Sequence, residues 1–150
     1  MRESISELAV AAALVLAGCE LLPTGTPEAF SDCRGNIDSL PALPLDGTGS
    51  DRVEVVDDEL LVTVSYSGGC AEHFFQICWP DRSFLESEPV QVGLELWHGS
   101  DPDGCDAYFT EVRAFDLAPL REAWHSAYSE GPGTIQIGLL GESVEYSFSD

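Results

Sequence analysis

The stretch VQVGLELWH, residues 90–98, places Val90, Val92, Leu94, Leu96 and His98 on one face of an extended chain and Gln91, Gly93, Glu95 and Trp97 on the other. That period of two marks a half-buried strand, since a helix repeats its apolar positions every three or four residues. The same signal recurs on both sides. Arg52–Asp57 and Glu59–Ser67 read as strands around the acidic turn Asp57-Asp58, with Val62, Val64 and Tyr66 sharing a face. His73–Trp79 has the aromatic and β-branched content of a mostly buried strand, preceded by the Gly68-Gly69 break and ended by Pro80. After a turn at Gly99–Gly104, Cys105–Phe115 is a further strand, and Thr134–Leu140 pairs with Ser143–Phe148 across Gly141-Glu142.

Only Leu117–Tyr128 switches to helical spacing, with Leu117, Leu120, Trp124 and Tyr128 on one stripe and Pro119 in the first turn. His125 lies off that stripe and is expected to face solvent. Seven strands at short spacing with a single helix predict an all-β fold with one short helix, arranged as an antiparallel β-sandwich of Greek-key or immunoglobulin-like style. There is no internal repeat and no sign of a second domain.

Leu8–Leu16 is a nine-residue apolar run, too short to cross a hydrocarbon layer of about 30 Å and of the length of a signal-peptide core. It ends in Leu16-Ala17-Gly18-Cys19, which resembles the lipobox of bacterial lipoproteins. The resemblance implies cleavage before Cys19, a covalent lipid on that residue, and anchoring without a membrane span. The leading MRESISE departs from the usual basic start, setting Arg2 against Glu3 and Glu7. The expected organisation is a signal peptide over residues 1–18, lipidated Cys19 and a Pro-, Thr- and Gly-rich tether over 19–32, and one disulfide-braced domain over 33–150. The expected location is the bacterial cell envelope, periplasmic or surface-exposed.

With Cys19 assigned to the lipid, Cys33, Cys70, Cys78 and Cys105 remain, an even number that suits two disulfides in an exported protein. If consecutive strands run antiparallel, the loops Gly68–Glu72 and Gly99–Gly104 lie at one end of the domain and Pro80–Glu88 at the other. Cys70 then meets Cys105, and Cys33 is left to reach Cys78. The same placement gathers His73 and His98. Two sulfurs and two imidazoles also form a tetrahedral zinc set, but in an oxidising compartment the thiols pair first. An alternative leaves the sulfurs bridged and has His73 and His98, aided by Asp101, Asp103 or Asp106, hold a divalent ion. The simpler reading gives His98 a loop carbonyl as its partner. The acidic turn fails the calcium-loop template, because aligning Gly104 with the invariant glycine puts Thr110 where a carboxylate is needed.

No nucleophile elbow, zinc-protease helix, phosphate loop or dinucleotide fingerprint occurs. The enzymatic alternative is an envelope hydrolase with an unrecognised carboxylate site. The segments Tyr66-Ser67-Gly68-Gly69-Cys70-Ala71-Glu72-His73, Asp103-Gly104-Cys105-Asp106 and Phe115–Leu120 resemble small uncharacterised bacterial lipoproteins with a YSGGC-x-x-H segment, over residues 50 to 148. That resemblance implies no activity and treats Cys70, His73, His98 and Cys105 as one unit. The sequence thus predicts a non-catalytic, lipid-anchored envelope protein with an interaction or structural role. No cofactor is expected beyond the lipid on Cys19, with a divalent metal as the alternative.

The 150 residues carry 27 acids against 6 bases, all six of them Arg, for a formal net charge of −21. That balance excludes nucleic acid as a partner. It also repels the domain from anionic headgroups, so the membrane is met through the lipid alone, and the partner is a solvent-side protein or a cationic species.

Overall fold

The computed structural model describes Phe30 and residues 53–149. The expected signal peptide, Cys19, the expected tether apart from Phe30, and Cys33 lie outside the described residues, as does the Cys33 half of the expected Cys33–Cys78 pairing.

The described residues form eight strands and one helix in the order β1 (Val53–Val56), β2 (Glu59–Gly68), β3 (His73–Cys78), β4 (Val90–Gly93), β5 (Glu95–Ser100), β6 (Ala107–Asp116), α1 (Ala118–Ala127), β7 (Gly133–Leu139) and β8 (Glu142–Phe148). An all-β fold with one short helix is what the alternating segments predicted. The strands group as β1-β2-β6, β3-β5 and β4-β7-β8. Among the described residues every strand pairing is antiparallel except that of β4 with β7.

Residues 90–98 alternate as expected, with Val92, Leu94 and His98 buried, yet they do not form one strand. The Leu94 N–H still donates to Gly138 O at 2.9 Å, while Glu95 already faces Cys78 in the ladder with β3. The chain turns a corner at Leu94 and passes from one sheet to another. Such corners let a strand serve two sheets while its inward face stays continuous.

β5 runs on to Ser100, into the expected turn, because Ser100 and Gly99 pair with His73 and Phe74. β6 starts at Ala107, two residues later than Cys105, and follows β2 along its whole length from Gly68↔Ala107 to Glu59↔Asp116. The β7–β8 turn is Leu140-Gly141, one residue earlier than expected. Both residues have positive φ, 54° and 84°, the geometry whose twist matches a two-residue hairpin.

Helix α1 has Leu117 at its N-cap and Pro in its first turn, where proline's missing N–H costs nothing. The Asp116 Oδ1 accepts the Ala118 N–H at 2.8 Å. The core unites Leu60, Val62, Val64, Phe75, Ile77, Phe115, Leu117, Leu120, Ile135, Ile137 and Tyr146 from all three sheets and the helix. Each such aliphatic or Phe side chain contributes roughly 1.5–3 kcal/mol relative to exposure.

Candidate functional site

At the far end of β2, Gly68 and Gly69 take φ values of 151° and 116°, and the chain turns back on itself before β3. A Cβ at Gly68 would collide with His73 Nε2 and Asp103 Oδ2, so glycine is what lets the two side chains meet beneath the turn. The β5–β6 loop comes in from the other side. Cys70 and Cys105 are joined by a disulfide, with Cα atoms 5.7 Å apart. This is the pairing expected from strand parity.

Asp103 is the hub. Its carboxylate accepts backbone N–H groups from Gly69 at 2.7 Å, Cys70 at 3.1 Å, Ala71 at 3.1 Å and Cys105 at 2.9 Å. His73 Nε2 adds a contact at 3.1 Å, and both side chains are almost closed to solvent, 4% exposed for His73 and 5% for Asp103. The Cys105 N–H and His73, followed by the Ala71 and Gly69 N–H groups, hold the carboxyl pKa well below the usual range. A carboxylate so bonded accepts only, so Nε2 of His73 carries a proton there.

His73 Nδ1 lies 2.8 Å from His98 Nε2, and His98 is 3% exposed. Burial first, then the charges of His73 and Arg113, push the His98 pKa down. His98 is therefore neutral, and with Nε2 of His73 turned towards Asp103, its Nδ1 accepts from the His98 Nε2–H. The result is a chain from His98 through His73 to Asp103. Aromatic rings wall it in: Phe75 stacks on His98 at 4.4 Å with planes 4° apart, and Tyr66 lies 4.5 Å from His73. The Tyr66 hydroxyl donates to Glu111 at 2.8 Å, which also accepts from Arg113 at 2.7 Å.

Of the residues considered as metal ligands, His73, His98 and Asp103 come together, whereas Asp101 and Asp106 are exposed and outside the network. The two imidazoles face each other, and Asp103 sits on the opposite edge of the His73 ring. The three do not converge on one point. The partner of His98 is a second imidazole and not a loop carbonyl. His125 also departs from expectation: its side chain is 18% exposed, its ring stands edge-on to Phe148, and its Nε2–H donates to Gly131 O at 3.0 Å.

A second polar network, at the near end of β2, carried no sequence signal. Tyr146, 0% exposed, donates its hydroxyl to Asp58 Oδ1 at 2.7 Å. Arg121 of α1 binds Asp58 Oδ2, and the Leu117 N–H donates to Asp58 O at 2.9 Å. Hydrogen bonds from Tyr146 and Arg121 lower the Asp58 pKa. Burial, then the bond to Asp58, raises that of Tyr146. Elsewhere, an open groove of about 540 Å³ runs between Pro89, Trp124, Thr134 and Glu145.

No family model and no curated protein sequence matches this chain. Among solved structures, it is similar to a protein described as toxin-related from Parabacteroides distasonis, at 16% identity and a TM-score of 0.45, over 83% of this chain and 61% of that one. It is likewise similar to a protein of unknown function from Bacteroides vulgatus, at 15% identity and a TM-score of 0.44, over 83% of this chain and 56% of that one. The chain thus spans less than two thirds of either of them.

Proposed function

We propose that this is a non-catalytic, lipid-anchored protein of the bacterial cell envelope, whose disulfide-braced β domain serves an interaction or structural role on the solvent side of the membrane. The Cys70–Cys105 disulfide carries the reading, because such bonds persist in exported proteins and are rare in a reducing cytosol. It agrees with the lipobox resemblance at Leu16–Cys19. The partner is a protein or cationic species approaching from solvent, not nucleic acid, given the net charge of −21.

A non-catalytic role is supported by the fate of the polar groups. The side chains of Asp103, His73 and His98 are almost closed to solvent and spend their hydrogen bonds on one another and on backbone N–H groups. Their work is to hold two loops together. A divalent ion on His73 and His98 in this state would have to displace the bond the two rings share.

The test is the anchor. Expressed as the full chain in a bacterial host, the protein should sediment with membranes and incorporate radiolabelled fatty acid. Cys19→Ser should release it to the soluble fraction and abolish the label. Membrane retention of that variant would refute the reading.

A further inference from the structure

The disulfide end holds more ligand atoms than a brace needs. The Sγ atoms of Cys70 and Cys105 and a carboxylate oxygen of Asp103 lie within 4.8 Å of one another. His73 Nε2 is 3.1 Å from Asp103 Oδ2. Two ligand atoms bound about 2.0–2.2 Å from one tetrahedral zinc ion stand about 3.4 Å apart, so the nitrogen and oxygen are already spaced close to one edge of such a site, and the imidazole must swing towards the sulfurs to complete it. The Cα separation of 5.7 Å brings both sulfurs onto the same centre once the bond between them is broken. Cys70 is exposed and Cys105 half-buried, so a thiol reagent reaches the bond from solvent.

We infer that reduction of Cys70–Cys105 by a dithiol converts this end of the domain into a zinc site, with Cys70 Sγ, Cys105 Sγ, His73 Nε2 and Asp103 Oδ2 as ligands. The balance is simple. The dithiol becomes a cyclic disulfide and delivers two electrons and two protons, giving two cysteine thiols. Zinc binding then releases those two protons to solvent, leaving two thiolates and the carboxylate around one divalent ion.

His98 acts behind the ligands. In the oxidised state His73 is protonated on Nε2, towards Asp103. As a ligand it must free Nε2 and carry its proton on Nδ1, which then donates to His98 Nε2, while the His98 proton moves to its own Nδ1. Neither ring changes charge, and the 2.8 Å contact survives with its direction reversed. Partners of this kind fix the tautomer and orientation of ligating histidines. Asp103 Oδ1 keeps the Cys105 N–H while Oδ2 turns to the metal. The anchor plays no part in this, so failure of the anchor leaves the site standing and failure of the site leaves the anchor standing.

Cobalt(II) reports the site directly, since thiolate ligands give it an intense charge-transfer absorption. The full chain, reduced with a dithiol and desalted without air, should take up one cobalt with that absorption and lose it to zinc. The oxidised protein should not. Cys70→Ser and Cys105→Ser should each abolish a full two-thiolate spectrum, whereas Cys78→Ala should leave it intact. His73→Ala should weaken zinc binding more than tenfold, and His98→Gln by about tenfold with the spectrum retained. The inference is overturned if the reduced chain shows no thiolate absorption at one cobalt per chain, or if the absorption survives both serine variants. It is overturned equally if the reduced chain loses its β circular dichroism and cobalt does not restore it.

Discussion

Strand β2 ends in two different ways. At its start, Asp58 receives the buried Tyr146 hydroxyl and the Arg121 guanidinium, and its carbonyl receives the Leu117 N–H, joining β2, β8 and α1 by hydrogen bonds with no covalent link. At its finish, Asp103 gathers four backbone N–H groups and an imidazole beneath a covalent bond. In both places a carboxylate is the hub, but the first hub ties secondary-structure elements together and the second ties loops. Elements arrive pre-ordered by their own ladders, so a few hydrogen bonds complete their docking. Loops lose more chain entropy on closing, and here a cross-link offsets part of it.

The largest effect should come from cutting that cross-link. Replacing both Cys70 and Cys105 with Ser reopens a loop of sequence separation 35 and should cost about 3–4 kcal/mol in the chain-entropy model, read as a loss of unfolding free energy in urea, with a steeper slope because the uncross-linked unfolded chain exposes more surface. A loss below about 1 kcal/mol would mean that the Asp103 cradle closes the loops unaided, and the contrast between the two ends would collapse.

The two ends also differ in how plainly the sequence announces them. Cys70, His73, His98 and Cys105 could be brought together by counting strand passages, because an even number of antiparallel passes returns the chain to the same end. Parity says nothing about which of Asp101, Asp103 and Asp106 turns inward, since that depends on loop conformation. Alternation located β4 and β5 and their buried face but not the corner at Leu94, because a period of two is the same whichever sheet a residue pairs with. Nor does it encode the parallel sense of β4 against β7. The Asp58–Tyr146 bond joins residues 88 positions apart, with no motif to mark either.

Tyr146→Phe tests the near end. Removing the hydroxyl strips Asp58 of a donor and should cost about 1–2 kcal/mol. The fold raises the Tyr146 pKa above its ordinary value of 10.0. The neutral phenol is therefore favoured in the native state, and its contribution is full below pH 10 and declines as pH rises beyond it. Unfolding midpoints followed from pH 8 to 11 should fall in the wild type and fall less in the Phe variant. Equal slopes would show that the hydroxyl gains nothing from Asp58.

The far end should respond to acid, and this effect is the smallest of the three. His98 faces Tyr66 from β2, His73 and Phe75 from β3, and the Glu111–Arg113 pair from β6. Burial, His73 and Arg113 lower its pKa below the ordinary 6.5, and only Glu111 opposes them. The native state disfavours the His98 cation, so its neutral form contributes stability that is present above pH 6.5 and is lost as pH falls through the lowered value. Asp103 follows at stronger acidity, its contribution present above 3.8 and lost below that as the carboxylate takes up a proton. Between pH 7.5 and 5 the wild type should lose stability, and His98→Gln should lose less, since glutamine keeps a donor for His73 Nδ1 but cannot ionise. His125→Gln, outside the network, should track the wild type. If His98→Gln tracks it as well, proton uptake at the buried imidazole is not what separates the two ends in acid, and the far end differs from the near one by its covalent bond alone.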